Sequence, residues 1–234
     1  MTELSISPPA GSLPGACEAP AEGLSYRRRV RDGLIRKLAA TLIVAGLFGG
    51  AAYQLGGGIY IILKAHLAQI LIANAWEANL ASHHPREKPW PWADMRPIAR
   101  MELPRQQKQL YILDNDSNRT LAFGPGLRTN SSRPGQGGNT VISGHRDTHF
   151  AALRDIEPNE LIEIQTIDGR LLSYRVSGLR IVDQSDAWVA AEHGIDELTL
   201  VTCWPFDALT PRGPERLIVS AERIHQSVRK ITSP

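Results

Sequence analysis

Three apolar runs in this chain each end or begin on a residue equipped for acid–base or nucleophilic chemistry. Thr199-Leu200-Val201-Thr202-Cys203-Trp204-Pro205-Phe206 carries a strand-like stretch into the only cysteine beyond the first twenty residues. Val141-Ile142-Ser143-Gly144-His145-Arg146-Asp147 brings a histidine to the end of a β-branched run, and Arg216-Leu217-Ile218-Val219 opens a third run with an arginine. A thiol attacks a carbonyl as its thiolate, and a nearby imidazole or guanidinium favours that charged form. Arginine can also hold the oxyanion of a tetrahedral intermediate, a task that other cysteine enzymes give to backbone N–H groups. His145, Cys203 and Arg216 are therefore the candidate acid–base group, nucleophile and oxyanion donor. A buried cysteine, a satisfied histidine and an ion-paired surface arginine would use the same residue types, and spacing alone leaves both readings open.

Two other chemistries are weaker. His145 and His149 are four apart, which on a helix would aim both imidazoles at one metal, but His-Arg-Asp-Thr-His lacks the glutamate of the zinc-protease helix. A papain-like enzyme places its cysteine early, opening a helix ahead of its histidine, whereas here His145 precedes Cys203 and both end strand-like runs. Asp114, Asp116 and Glu102 are too scattered to make a calcium site. No metal and no cofactor is expected. Between the two candidate arginines, Arg212 lies in the turn-like Thr210-Pro211-Arg212-Gly213-Pro214, while Arg216 begins a strand, so Arg216 is preferred.

The elements that must hold these residues follow from hydropathy and turn chemistry. No charge interrupts Leu38–Leu63, a run that as a helix covers about 39 Å at about 1.5 Å per residue, enough to cross a hydrocarbon core of about 30 Å. Gly56-Gly57-Gly58 weakens that span by offering an end near Leu55. Arg27, Arg28, Arg29, Arg31, Arg36 and Lys37 precede the run and Lys64 alone follows it, which puts the N-terminus in the cytoplasm and the rest outside. The run is long for a cleaved signal peptide, the arginines lack the surrounding twin-arginine pattern, and no apolar stretch precedes the lipobox-like Leu13-Pro14-Gly15-Ala16-Cys17. Gly46 and Gly50 make a small-xxx-small pair that could support helix dimerisation. Cys17 and Cys203 fall on opposite sides of the bilayer and cannot pair within one chain. The net charge of +2 comes from the membrane-proximal arginines, and nothing points to nucleic acid.

Beyond the membrane, residues 65–81 have helical apolar spacing, and the prolines from Pro85 to Pro104 then forbid regular helix. Trp90 and Trp92 sit among those prolines, where they could pack on the domain or anchor at the lipid interface, and packing is the preferred reading. Eight short β-like runs follow: Gln109–Leu113, Thr120–Phe123, Thr140–Ser143, Leu161–Ile167, Arg170–Val176, Leu179–Val182, Glu197–Thr202 and Arg216–Ala221. They predict a closed or sandwiched β domain, with Asp168-Gly169 as a type I′ hairpin turn and helical turns only at 151–156 and 187–194. The expected order is a disordered basic tail at 1–37, a transmembrane helix at 38–63, a juxtamembrane helix and linker at 64–100, a catalytic domain at 101–225 and a tail at 226–234.

Over residues 65–225 these features resemble the sortases, membrane-anchored cysteine transpeptidases. The resemblance rests on Gly144-His145, the Thr-Leu-Val-Thr-Cys string at 199–203 and Arg216 opening a last strand. Leu121-Ala122-Phe123-Gly124-Pro125-Gly126, Trp90-Pro91-Trp92-Ala93-Asp94 and Trp204-Pro205-Phe206 look most like the sortases of Gram-negative proteobacteria. The resemblance implies a mainly β fold, an eight-stranded β-barrel behind one N-terminal transmembrane helix, with His145, Cys203 and Arg216 as catalytic residues. It further implies a thiol protease of the inner membrane whose catalytic domain is periplasmic. Such an enzyme cleaves a Leu-Pro-x-Thr-Gly-like C-terminal sorting signal of an exported protein through a thioacyl-enzyme and passes the acyl group to an amine acceptor. Two alternatives are a catalytically silent membrane-anchored binding module of the same shape and an L,D-transpeptidase-like cell-wall enzyme. The latter joins its histidine and cysteine in one glycine-rich motif unlike the two motifs here.

Overall fold

The computed structural model describes residues 22–186, 196–208 and 213–224. The chain divides into two units, Met1–Tyr60 and Ile61–Pro234, and one helix, α1 (Glu22–Ser82), enters both. Among the described residues of the first unit the large apolar side chains, such as Leu42, Leu47, Phe48 and Tyr53, are exposed. The stretch Leu34–Ser82 is long and apolar enough to cross a membrane, with a mean hydropathy of 1.6 in its most apolar window. The three glycines at 56–58 do not end the helix. Backbone hydrogen bonding in a long apolar helix outweighs a cost of about 1 kcal/mol per glycine.

The second unit holds a closed barrel. Its strands are β1 (Pro97–Leu103), β2 (Lys108–Leu113), β3 (Gly126–Leu127), β4 (Asn139–Ser143), β5 (Leu161–Thr166), β6 (Leu171–Asp183), β7 (Glu197–Cys203) and β8 (Glu215–Arg223). Around the barrel they run β1-β2-β3-β4-β7-β8-β6-β5. The β2–β3 and β4–β7 pairs are parallel and the others antiparallel. A mainly β, eight-stranded barrel is the expected architecture, with several differences along the chain. Thr120–Phe123 is not a strand: a one-turn helix, α2 (Asn118–Leu121), starts where the Ser117 hydroxyl accepts the Thr120 N–H, a side-chain cap that competes successfully with β-propensity. Arg170–Val176 and Leu179–Val182 are one strand, β6, interrupted by a bulge between Val176 and Gly178.

β1 straddles the boundary read between linker (64–100) and catalytic domain (101–225). It begins on Pro97, where a missing N–H is tolerated at the start of a strand. The β5–β6 turn is also not type I′, because only Gly169 has positive φ, at 83°. The Gly169 N–H reaches the Thr166 carbonyl at 2.9 Å, which makes a type I turn followed by a left-handed glycine. A 3-10 helix (His149–Asp155) covers the expected helical turn at 151–156, and the turn at 187–194 lies outside the described residues.

The lumen is filled by Met101, Ile112, Ile142, Ile162, Ile164, Leu172, Tyr174, Leu198, Leu200 and Val219, all fully buried. β4 and β7 are buried on both faces, as strands with parallel neighbours are, so Asn139, Thr140, Thr199 and Thr202 are buried along with their apolar neighbours. Val141, Val201 and Ile218 form a second cluster on the outer face, where Asn139 and Thr199 exchange buried hydrogen bonds of 2.9 and 3.0 Å. The last turns of α1 belong to this unit. Ala68, Ile72, Ala75, Trp76 and Asn79 are buried, with Ile72 in one cluster with Ala93, Met95 and Leu113 and Trp76 against Tyr111, ring centroids 6.4 Å apart. Trp90 packs edge-on against Phe123, as expected, whereas Trp92 is 79% exposed. Its indole does not pack on the domain, whereas the neighbouring Ala93 and Met95 are buried.

Candidate active site

Strand register brings the three candidate residues together. Side chains alternate along a strand, and directly paired residues share a face. Cys203, the last residue of β7, pairs with Arg216 on β8, and Val201 pairs with Ile218 behind them. On the other side of β7, Val141 pairs with Thr199 and Ser143 with Val201. Continuing that parallel register by two residues sets His145 alongside Cys203. The continuation is held past the strand end: the Gly144 N–H donates to the Val201 carbonyl at 3.0 Å, and the Thr202 hydroxyl donates to the Gly144 carbonyl at 2.9 Å. Position 144 has no room for a side chain, since a Cβ there would lie 2.6 Å from the ring of the buried Phe150.

One cleft of about 810 Å3 is lined by His145, Cys203 and Arg216 together with Asp116, Leu121 and Val201. His145 is exposed at its rim and Cys203 is half-buried. The Arg216 guanidinium is held in place by its own strand entry and by a neighbouring loop. Nη1 donates to the Gly213 and Glu215 carbonyls at 2.6 and 2.8 Å, and Nη2 to Gln184 Oε1 at 3.0 Å. A guanidinium has five N–H donors, so this anchoring leaves donors for an oxygen of a bound carbonyl. Arg212, the alternative donor, lies outside the described residues.

Two further arginines and two acids set the electrostatics around the cleft. Burial pushes the Arg128 guanidinium below its usual range, while Asp116 works in the opposite direction. Asp116 also accepts the Ser143 hydroxyl at 3.4 Å. The hydrogen bond from Arg146 holds the Asp147 carboxyl below the ordinary carboxylate range. His149 is not paired with His145 on a helix as a two-histidine metal site requires. It opens the 3-10 helix, and burial lowers its pKa, against a hydrogen bond to the Ala122 backbone that raises it. Among the described residues no group of three or more His, Cys, Asp or Glu could hold a metal ion. Asp114 is salt-bridged to Arg96 and Glu102 to Arg100.

The sortase-domain family model matches residues 101–224, which takes in β2 to β8 and all three candidate residues. This chain belongs to the sortase family. Among curated relatives it is similar to sortase D of Bacillus subtilis (strain 168), 30% identical over 125 residues that make up 53% of this chain and 62% of that protein. The match thus spans less than two-thirds of that relative's length. Among solved structures it is similar to sortase A from Corynebacterium diphtheriae, with a TM-score of 0.52 and 29% identity over 59% of this chain and 65% of the other. The lid mutant of that enzyme gives a TM-score of 0.52 at 25% identity, covering 69% of this chain and 96% of the other. The eight-stranded closed barrel is the architecture of sortases.

Strand-end reasoning finds the residues that close this sortase's cleft at the β4, β7 and β8 ends and misses those on its far walls. Leu121 arrives on the α2 segment that hydropathy read as a strand, and Asp116 on the loop just before it. Arg128 follows a strand only two residues long, and Gln184 follows the long β6. Leu121 opens the Leu121–Gly126 string, and the other three sit in no motif. The one available signal was Asp116-Ser117 just before Thr120, a helix-cap pattern.

Proposed function

We propose that this chain is a membrane-anchored cysteine transpeptidase acting on exported proteins that end in a Leu-Pro-x-Thr-Gly-like sorting signal. The Cys203 thiolate attacks the scissile carbonyl carbon, and the carbonyl oxygen takes the negative charge under the Arg216 guanidinium. The intermediate collapses to a thioester as the C–N bond breaks, and His145 gives its proton to the departing amine. An incoming amine then attacks the thioester, loses a proton to His145 and releases Cys203. The products are an amide on the acceptor and a regenerated thiolate, so no bond is oxidised and no cofactor is consumed.

The observation that carries this reading is the convergence of His145, Cys203 and Arg216 on one cleft within the stretch matched by the sortase-domain model. Thiol-protease chemistry follows if water replaces the amine. The apolar stretch of α1, flanked by basic residues on its N-terminal side, supports a single-pass anchor with the catalytic domain outside the cytoplasm. Sharing a bilayer with a tethered substrate raises the effective concentration of the signal. The Trp90-Pro91-Trp92, Leu121–Gly126 and Trp204-Pro205-Phe206 strings support assignment to the proteobacterial class and hence to an inner membrane.

The test is incubation of the full chain in detergent with a set of Leu-Pro-x-Thr-Gly pentapeptides, read by intact-mass spectrometry. A thioester adduct is expected on the wild-type protein and none on Cys203→Ala. An adduct that persists on Cys203→Ala, or none with any peptide on the wild type, overturns the proposal.

A further inference from the structure

Arg146 follows His145 directly in the cleft wall, yet its side chain is only 4% exposed, while that of its neighbour Asp147 is 64% exposed. Its cover is a loop and not the barrel core. Nε and Nη2 make a two-pronged bond to the Asp147 carboxylate at 2.7 and 3.2 Å. Nη1 donates to the Pro205 carbonyl, and Nη2 donates to the Ala208 carbonyl at 3.3 Å. Both carbonyls belong to the segment that leaves Cys203. One guanidinium thus joins the backbone that carries the histidine to the backbone that carries the cysteine, beyond the point where β4 and β7 stop pairing.

We infer that Arg146 is a positioning residue, a clamp that keeps the His145 turn and the Cys203 exit loop in fixed mutual placement. The barrel does not need this bond to close, because Gly144 and Thr202 already complete the β4–β7 seam. What the bond adds is restraint on two loop segments that the sheet does not hold. Arginine suits the task because its planar fork satisfies a carboxylate and two separate carbonyls at once, which the point charge of lysine cannot. Arg154 grips the same exit loop from the 3-10 helix through the Phe206 carbonyl at 3.0 Å, but it does not tie that loop to His145. The hydrogen bond to Asp147 is the main cause that keeps Arg146 charged against its loss of water, with Cys203 and Asp207 adding to the attraction.

This inference rests on the proposed cysteine chemistry, so its test uses a reaction that needs no sorting signal. The rate of Cys203 alkylation by iodoacetamide at pH 7 is read by peptide mass spectrometry in the full chain, which also separates it from Cys17. A residue that acts through another gives a non-additive double-mutant cycle. His145→Ala and Arg146→Gln are each expected to slow alkylation about tenfold, and the double variant to be slowed by little more than either alone, a coupling of at least about fivefold. Arg146→Lys should restore about a third of the rate, since it keeps the charge and loses the fork. A wild-type rate in folded Arg146→Gln, or losses that multiply, overturns the clamp. Should Arg146→Gln fail to fold, the exposed Asp147→Asn carries the test. It is expected to slow alkylation about threefold and to couple to His145→Ala by at least about twofold, and full additivity there is equally fatal. Failure of every peptide in the thioester assay would remove the transpeptidase reading and leave this cycle intact.

Discussion

Arg216 is fastened by the Gly213 and Glu215 carbonyls and by Gln184, and this arrangement determines what a conservative replacement loses. Lysine could reach one of these acceptors but could not hold all three and still present a donor to an oxyanion. Arg216→Lys is therefore expected to cut the rate of thioester formation about 10²–10³-fold while leaving the circular dichroism spectrum unchanged. A loss below tenfold would move the oxyanion role elsewhere, with Arg212 the first residue to test.

His149 gives a pH prediction at the same scale. Burial is the largest cause of its lowered pKa, with His145 and Lys108 acting in the same direction and the Ala122 hydrogen bond against them. The unfolded chain, with an ordinary histidine pKa of about 6.5, then takes up a proton before the folded one does. Stability is complete above that value and is lost as pH falls through the lowered folded pKa. The melting temperature of His149→Gln should accordingly fall less than that of the wild type between pH 7.5 and pH 5. Parallel curves would mean that the histidine is hydrated in both states.

Elements place these residues, and the placement depends on what each strand end allows. Gly144→Ala would drive a methyl into the Phe150 ring at 2.6 Å. Overpacking of this kind costs about 1–3 kcal/mol, and the shift would also strain the turn that carries His145. A lower melting temperature together with a slower thioester step is expected, and either effect without the other would argue against one shared cause. The same comparison explains what the residues revealed in advance. β4, β7 and β8 were legible because each is centred on a short run of β-branched and leucine residues that burial requires, and because the reactive residue stands at or just beyond one end of each. β1 was hidden behind Pro97, whose strand-start position looks like linker. Thr120–Phe123 was misread because the Ser117 cap is a side-chain bond that hydropathy does not register. The β5–β6 hairpin was placed correctly but given the wrong turn, since Asp-Gly serves both a type I′ turn and a left-handed glycine after a type I turn. Far-wall residues such as Arg128 and Gln184 reach the cleft only through barrel closure, which no local pattern contains.

For the whole molecule, the proposed topology predicts that a reporter active only outside the cytoplasm works when fused after Pro234 and fails when fused before residue 30. The reverse result would put His145 and Cys203 where exported signals never pass. The last turns of α1 also brace the barrel. β2 and β3 share a single pair, Leu113 with Gly126, which makes this the thinnest seam of the barrel, and Ile72 and Trp76 pack beside it on Leu113 and Tyr111. Truncating a buried tryptophan costs about 3–5 kcal/mol, so Trp76→Ala should lower the melting temperature by more than any substitution in the lipid-facing run, and an unchanged melting temperature would show the seam to be self-sufficient. The position of a proteolytic cut would then decide the fate of a shed enzyme. A cut just after Lys64 would release a barrel with Ile72 and Trp76 still packed on it. A cut in the exposed turn at Arg86 would separate those two residues from the barrel and uncover Leu113 and Tyr111 at its thinnest seam, so that the released domain would carry an open apolar side.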